Sequence, residues 1–191
     1  MTPNGPPLIV VDVQNGFIYE NTYHVVPRIV DLVRRWPGPV VFTRFHNVPG
    51  SNYERLIGWR RLQGPPDTDL AVALQPYAQS VIDKDGYTFF SAEGRQLAEQ
   101  QGWTDIYFCG IDTDICVLKS AVDAFELGFT PHVIEDACAS HAGPAAHDAG
   151  VTILKRFIGR GQVVRSADLS IDRGLTVASP PSVDDDQLEV G

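Results

Sequence analysis

The sequence is poor in cysteine and in long apolar runs, and each shortage excludes a class of protein. Three cysteines in 191 residues, an odd number, do not fit the disulfide framework of a small secreted domain, so we expect a reducing, cytoplasmic setting. No apolar run approaches the roughly 18 residues that cross a bilayer. The first ten residues lack the basic and apolar regions of a secretory signal.

Positive charge is also scarce. Lys and Arg total 15 against 24 Asp and Glu, which gives a formal net charge of -9. Because nucleic acids and anionic membranes attract basic surfaces, we expect neither as a partner. Many of the acids lie close to the end of the chain. We interpret residues 177–191 as an acidic tail that follows a single domain over residues 1–176.

Short apolar runs rich in β-branched residues recur along the chain, which is typical of strands buried on both faces of a parallel sheet. These runs are Leu8–Val11, Val40–Phe42, Val81–Ile82, Ile106–Cys109, His132–Ile134 and Val163–Val164. Helices are predicted at about Val25–Arg35, Gln96–Gln101, Ile115–Leu127 and Pro144–Phe157. The alternation predicts an α/β fold with three α/β/α layers around an open, mainly parallel six-stranded sheet, Rossmann-like in type.

Two segments of the chain carry further expectations. The apolar residues of the third helix recur at helical spacing and predict its buried face: Ile115, Leu118, Val122, Phe125 and Leu127. The stretch 47–69 has no periodicity, contains Pro, Gly, Tyr53 and Trp59, and is long for a connection. Its length indicates a functional loop or a lid.

Three chemically active residues follow predicted strands, where sites of open α/β sheets lie. They are Asp12 after the first strand, Lys84 after the third and Cys116 after the fourth. Each has a structural alternative, as a turn residue, a solvated lysine or a small buried side chain. A buried carboxylate needs a partner, however, and a thiol at the start of a helix is favoured as thiolate. The three together predict a cysteine nucleophile with a carboxylate base.

With these motifs the sequence resembles the isochorismatase-like cysteine hydrolases, a superfamily that includes nicotinamidases and carbamoylsarcosine amidases. The matching segments are Leu8–Phe17, Lys84–Phe90, Gly110–Phe129 and Glu135–Ser140, together with His147. The resemblance extends over about residues 8–164, most of the chain. It implies the isochorismatase-like hydrolase fold and a hydrolase acting on C–N bonds other than peptide bonds.

The resemblance implies a triad of Asp12, Lys84 and Cys116. It also implies a cis peptide between Ile111 and Asp112, and an oxyanion hole formed by the backbone N–H groups of Asp112 and Cys116. The expected reaction cleaves a small amide or ureido bond through a Cys116 thioester. Two alternatives stay open: a vinyl-ether hydrolase of the isochorismatase type, and a non-catalytic protein that binds small molecules.

Candidate substrate-binding residues follow from positions in the motifs and in the long loop. They are Phe17, His46, Tyr53, Trp59, Phe90 and Ile115. Core packing is the alternative for each aromatic ring among them. As a group they predict a small, largely apolar pocket for an amide-type substrate.

The resemblance also raises the question of a metal ion, because nicotinamidases of the superfamily usually bind one through an Asp-x-His pair after the second strand. Here Phe45 and Asn47 occupy those positions, and His46 is shifted by one. We therefore expect no metal. No G-x-G-x-x-G follows the first strand, and we expect no other cofactor. Members of the superfamily usually form dimers or tetramers, so a homodimer or homotetramer is expected.

Overall fold

A computed structural model describes residues 5–171 and 176–177 of the chain. The predicted acidic tail, apart from Val177, lies outside the described residues. No helix among the described residues combines the length and the hydrophobicity that a bilayer crossing requires.

A six-stranded sheet, parallel throughout, forms the centre of the molecule. Its strands are β1 (Leu8–Val11), β2 (Val40–Phe45), β3 (Val81–Lys84), β4 (Asp105–Ile111), β5 (Thr130–Ala139) and β6 (Val163–Val164). They lie side by side in the order β3-β2-β1-β4-β5-β6. The predicted six-stranded α/β fold is confirmed. A separate antiparallel pair joins β7 (Leu169–Ser170) to β8 (Thr176–Val177).

Helices and helical turns connect the strands. The α-helices are α1 (Val26–Arg35), α2 (Asn52–Ile57), α3 (Ala92–Gln101), α4 (Leu118–Glu126) and α5 (Pro144–Phe157). A π-helical turn, Thr113–Val117, precedes α4 and replaces the start of the predicted third helix. Short 3-10 turns cover residues 15–17, 23–25, 75–77, 160–162 and 166–168.

The predicted buried face of the third helix is only partly correct: Ile115, Leu118 and Val122 are half-buried and pack against the core, but Phe125 and Leu127 are exposed. The residues of α4 that are buried are Ser120, Ala121 and Ala124, whereas Phe125 is 53% exposed. Small side chains let the helix lie close to its neighbours, and the large apolar residues are displaced toward its flanks and solvent. The hydrophobicity of the sequence alone did not distinguish the small residues that are buried from the large apolar residues at the flanks of the helix.

The two central strands approach each other closely beside the site. Every side chain of β1 is fully buried, and β1 pairs with β2 on one side and β4 on the other. Gly110 of β4 has φ +123, and a Cβ there would lie 2.2 Å from the carbonyl oxygen of Val11. Only glycine fits this conformation and this distance, so Gly110 lets β4 reach the end of β1.

The strand order reverses direction between β1 and β4. The chain runs outward from β1 to β3 and then from β4 to β6 in the opposite sense. Right-handed crossovers therefore place the connections on both faces of the sheet and leave a crevice beyond the carboxyl ends of β1 and β4. Asp12 follows β1 directly, and the π turn that contains Cys116 follows β4.

Candidate active site

Asp12 is the first residue after β1 and is fully buried. Its φ is +49, a left-handed conformation that is uncommon for residues other than glycine and that aspartate tolerates better than most. Thr43 of β2 holds it in place: the hydroxyl accepts from the Asp12 backbone N–H at 3.1 Å and donates to Oδ1 at 2.6 Å. Thr43 was not among the candidates from the sequence, because nothing in its local pattern marks it.

Lys84 ends β3 and meets the other carboxylate oxygen of Asp12. Its Nζ lies 2.6 Å from Oδ2 and also donates to the carbonyl oxygens of Gly86 at 2.9 Å and Tyr87 at 3.1 Å. Three acceptors match the three donors of an ammonium group. Burial disfavours the charged amine, but the surrounding acidic groups, Asp12 above all, together outweigh it and raise the pKa of Lys84. Asp12 and Lys84 therefore form a buried ion pair.

Cys116 lies in the π turn and is buried, with its thiol within hydrogen-bonding reach of Asp12. Burial raises the pKa of the Cys116 thiol well above its usual range, Lys84 acts in the opposite direction, and Asp12 raises it further. We expected the start of a helix to favour the thiolate, but burial and the negative charge of Asp12 outweigh that preference. The arrangement is a protonated thiol beside a carboxylate that can accept its proton.

Asp112 precedes the π turn and is fixed on both sides. The Ile111–Asp112 peptide bond is cis. The Asp112 carbonyl oxygen accepts from the backbone N–H groups of Ile115 at 3.2 Å and Val117 at 3.0 Å. Its carboxylate accepts from the backbone N–H of His141 at 2.8 Å and lies 2.5 Å from Nδ1 of the same residue. The hydrogen bond to Asp112 raises the pKa of His141.

A cavity of about 170 Å³ opens over Cys116. Its wall consists of Phe17, Phe45, Tyr53, Ile57, Trp59, Tyr87, Asp112, Ile115, Cys116 and His141. Phe17 and Trp59 stack with ring centroids 5.9 Å apart, and Phe45 packs edge-on against Tyr53 at 5.0 Å. Since an apolar cavity of about 150 Å³ holds benzene, this one suits a molecule the size of a single ring.

Four of the six candidate binding residues contribute to that wall: Phe17, Tyr53, Trp59 and Ile115. The other two lie elsewhere. His46 turns its Nε2 toward Asp83 at 3.0 Å, and Phe90 stacks on Phe129 with centroids 5.5 Å apart. His46 directly follows β2, where successive side chains point to opposite faces of the sheet. Phe45 therefore faces the cavity and His46 points away from it.

The long stretch 47–69 contributes to the wall through a short helix rather than as an irregular loop. Ser51 caps the start of α2 by accepting from the N–H of Glu54, and Gly58 ends it in a left-handed conformation. Tyr53 and Ile57 of α2, with Trp59 after it, reach the cavity. The predicted lid movement stays a prediction.

A domain-family comparison matches residues 6–168 to the isochorismatase domain. The chain belongs to the isochorismatase family. The match covers all six strands of the sheet and every residue of the predicted triad. The resemblance that the sequence motifs predicted is therefore confirmed.

Curated relatives within the family include amide hydrolases. The nicotinamidase of Acinetobacter baylyi is 30% identical over 174 residues, which cover 71% of this chain and 81% of that protein. The ureidoacrylate amidohydrolase RutB of the same organism is 34% identical over 107 residues, 54% of this chain and 43% of that protein. Among solved structures, N-carbamoylsarcosine amidase from Thermoplasma acidophilum has a TM-score of 0.73 and 26% identity, covering 87% of this chain and 99% of that one.

The described residues do not fit the metal ion that some family members are expected to hold. Phe45 is part of the aromatic wall, and the amide of Asn47 is engaged, donating to the Trp59 carbonyl at 3.0 Å and accepting from Ser51 at 2.7 Å. Within residues 5–171 and 176–177, no three His, Cys, Asp or Glu side chains are grouped closely enough to bind a metal. Phenylalanine cannot be a ligand, and the Asn47 amide is oriented toward Ser51 and Trp59 by its hydrogen bonds.

Proposed function

We propose that this protein is a metal-independent cysteine hydrolase of small amide or ureido C–N bonds, with Asp12, Lys84 and Cys116 as its triad. The observation that carries the proposal is that three distant strand ends bring a thiol, a carboxylate and an ammonium group into contact beneath one cavity. The relatives named above, a nicotinamidase, a ureidoacrylate amidohydrolase and a carbamoylsarcosine amidase, support an amide-type substrate.

The first half of the reaction forms an acyl-enzyme. Asp12 accepts the proton of the Cys116 thiol as the sulfur attacks the amide carbonyl, so the charge moves to the carbonyl oxygen. Asp12 then passes the proton to the nitrogen of the leaving group. The C–N bond breaks, ammonia or an amine departs, and a thioester with Cys116 remains.

The second half of the reaction hydrolyses the thioester. Asp12 accepts a proton from a water molecule as its oxygen attacks the thioester carbonyl, and the proton then returns to the sulfur as the C–S bond breaks. The products are the free thiol and a carboxylic acid, or a carbamic acid when the substrate is a ureido compound. Lys84 stays protonated throughout, because its ion pair with Asp12 favours the charged amine. The same ion pair keeps the carboxylate oriented toward Cys116.

The developing oxyanion needs donors, and we assign this role to the backbone N–H groups of Asp112 and Cys116. Two features support the assignment. The Asp112 carbonyl and carboxylate are both held by hydrogen bonds, so its backbone has a fixed orientation. Both residues also line the cavity into which a substrate carbonyl would enter.

Release of ammonia from a panel of small amides tests the proposal. The panel contains nicotinamide, maleamate, N-carbamoyl amino acids and aliphatic amides. We expect release from at least one member by the wild type and its loss in Cys116→Ala. Cys138→Ala is the matched control, because Cys138 is also buried but lies outside the cavity wall, and it should keep the activity.

Two results would contradict the proposal. Release that persists in Cys116→Ala would exclude the thioester route. Pyruvate release from isochorismate, with no ammonia from any amide, would identify an ether hydrolase instead. Metal analysis of the active protein gives a separate check, since stoichiometric zinc, iron or manganese would contradict the metal-independent part of the proposal.

A further inference from the structure

Of the residues that line the cavity, only Asp112 and His141 have acidic or basic side chains; the rest, apart from Cys116, are aromatic or aliphatic. The carboxylate of Asp112 is turned away from solvent and is 3% exposed, whereas the His141 side chain is 37% exposed. Apart from the thiol, the polar groups of the wall are therefore the two tyrosine hydroxyls, the indole N–H of Trp59 and His141, and His141 is the lining side chain that can carry a positive charge. In such pockets a few polar groups fix the orientation of the ligand.

Asp112 determines which nitrogen of His141 is available. A carboxylate only accepts hydrogen bonds, so the Nδ1 that faces Asp112 at 2.5 Å must be the donor. Nε2, on the other side of the ring, has no hydrogen-bond partner among the residues that the structure describes. The centroids of the Phe17 and Tyr19 rings lie 6.1 Å and 6.3 Å from that of the imidazole, and the hydrogen bond to Asp112 fixes its orientation. The free nitrogen is thus part of an oriented ring.

We propose that His141 binds a carboxylate on the substrate through Nε2, so that the substrates of this enzyme are small amides or ureido compounds that also carry a carboxylate. This proposal deepens the proposed function and rests on it. When both ring nitrogens are protonated, Nε2 donates a charge-assisted hydrogen bond, which is strong beside an apolar wall. A substrate methyl group at the same place would leave that N–H without an acceptor.

The other cations near the cavity are engaged elsewhere. Lys84 uses its three donors on Asp12 and two backbone carbonyls. Arg61 lies over the Tyr19 ring, bonds to the Tyr19 hydroxyl and pairs with Asp67 at 3.3 Å. Arg61 is close enough to act electrostatically on His141 and adds positive charge on that side of the cavity. His141 is the cationic group that has both an open donor and a place in the wall.

Matched substrate pairs test this inference. Each pair differs only in a carboxylate that is replaced by a methyl group: maleamate and (Z)-but-2-enamide, succinamate and butanamide, 3-ureidopropionate and propylurea. We expect the wild type to prefer the acid of at least one pair by about 10- to 100-fold in kcat/KM, the effect of one hydrogen bond to a charged group. His141→Gln should lower that ratio by about the same factor.

The ratio separates substrate binding from a purely structural role. If His141 only positioned Asp112, His141→Gln would lower both members of a pair alike and leave the ratio unchanged, which would overturn the proposal. Equal turnover of the two members by the wild type would also overturn it. His24→Gln is the matched control, because His24 is exposed and lies outside the cavity wall, and the ratio should not change in this variant.

A binding measurement distinguishes failure of the proposed function from failure of the proposed carboxylate binding by His141. Calorimetric titration of Cys116→Ala with the same pairs needs no turnover, and the acid should bind about 10-fold or more tightly than its methyl twin. Equal binding would overturn the role of His141 even if amides are hydrolysed. Absence of Cys116-dependent hydrolysis from every pair and from the whole amide panel would contradict the proposed function, while tighter binding of the acids would still support the carboxylate site.

A pH series gives a further readout. The groups that act on His141 are Asp112 and Asp114, which favour the charged ring, and Arg61, which disfavours it. Once the ring loses its second proton, Nε2 can only accept, so it repels a carboxylate. The preference for the acid should therefore decline from about pH 6 to about pH 8.5, and a preference independent of pH would overturn the proposal.

Discussion

Two acid–base pairs lie at the carboxyl ends of the strands, and they differ in how much of their hydrogen-bonding capacity is used. Asp12 and Lys84 have side chains that are 0% and 1% exposed, and every donor and both carboxylate oxygens have partners. Asp112 is also buried, but His141 is 37% exposed and keeps one ring nitrogen free. We call Asp12 and Lys84 the closed pair and Asp112 and His141 the open pair. The closed pair has no hydrogen-bonding group left for a ligand, whereas the open pair can bind one through the free ring nitrogen.

The surroundings of the two pairs explain the difference. Lys84 ends β3, the outermost strand of the sheet, and the loop that follows supplies two backbone carbonyls to its ammonium group. His141 follows β5 and has the tilted rings of Phe17 and Tyr19 as neighbours, neither of which is hydrogen-bonded to its ring nitrogens. All hydrogen-bond donors of Lys84 therefore have acceptors within the protein, whereas His141 keeps one ring nitrogen without a partner among the described residues. Four experiments can sharpen or break this comparison.

The largest effect is expected for Asp12→Asn. Asparagine tolerates the left-handed backbone at this position and keeps an oxygen for the Lys84 ammonium, so the fold should persist with reduced stability, but it cannot accept the thiol proton. We expect kcat to fall by about 10²- to 10⁴-fold, the range for loss of a general base. Steady-state kinetics and a thermal melt measure the two effects. Asp31→Asn on α1 is the control with an exposed carboxylate, and near-normal turnover of Asp12→Asn would sink the assignment.

Lys84→Met tests whether the closed pair is also a structural element. The substitution leaves Asp12 buried without its counter-charge, and breaking a buried pair in this way costs about 3–5 kcal/mol in the free energy of unfolding. Urea denaturation measures the loss. Arg95→Met removes the exposed ion pair with Glu99 and should cost less than about 1 kcal/mol. Similar costs for the two variants would show that burial does not distinguish the pairs.

Thr43→Val probes the hydroxyl that bridges the backbone and carboxylate of Asp12. Valine keeps the shape but removes both hydrogen bonds, and leaving a buried polar group unsatisfied costs about 1–3 kcal/mol. Thr43→Ser restores the hydroxyl and should recover most of the stability. Denaturation of the three proteins side by side checks this, and a Thr43→Val protein as stable as the wild type would contradict the role given to Thr43.

The smallest effect concerns the open pair and pH. Pairing with Asp112 raises the pKa of His141 above its unfolded value near 6.5, so its stabilisation is complete below that pH and is lost as pH rises through the folded pKa. The stability difference between wild type and His141→Gln should therefore be larger at about pH 5.5 than at about pH 8.5. Because the histidine is partly exposed and screened, we expect a change below about 1 kcal/mol.

Urea titrations of both proteins at the two pH values measure this difference. A stability difference that is the same at both values would show that the charge on His141 does not contribute to folding. The result is independent of substrate, so it tests the pairing with Asp112 apart from the proposed carboxylate binding.

Much of the fold was predictable because its signal is local. Continuous apolar runs such as Leu8–Val11 identify strands buried on both faces, and their alternation with helices fixes the class of sheet. The bounds were less certain: β5 extends over Thr130–Ala139, well beyond the predicted His132–Ile134, because pairing with β4 extends past the apolar run. Local hydrophobicity does not report how far a neighbouring strand continues.

The sequence alone was enough to predict Asp12, Lys84 and Cys116 as a triad, since each lies at or just after the end of a strand and parallel strands deliver their carboxyl ends to one edge. Tertiary structure alone decided the surroundings of these residues. Thr43 contacts Asp12 across 31 positions of sequence, and His141 contacts Asp112 across 29. Such contacts depend on strand register and side-chain direction, which no local pattern encodes, and they set the charge and the open donor of the site.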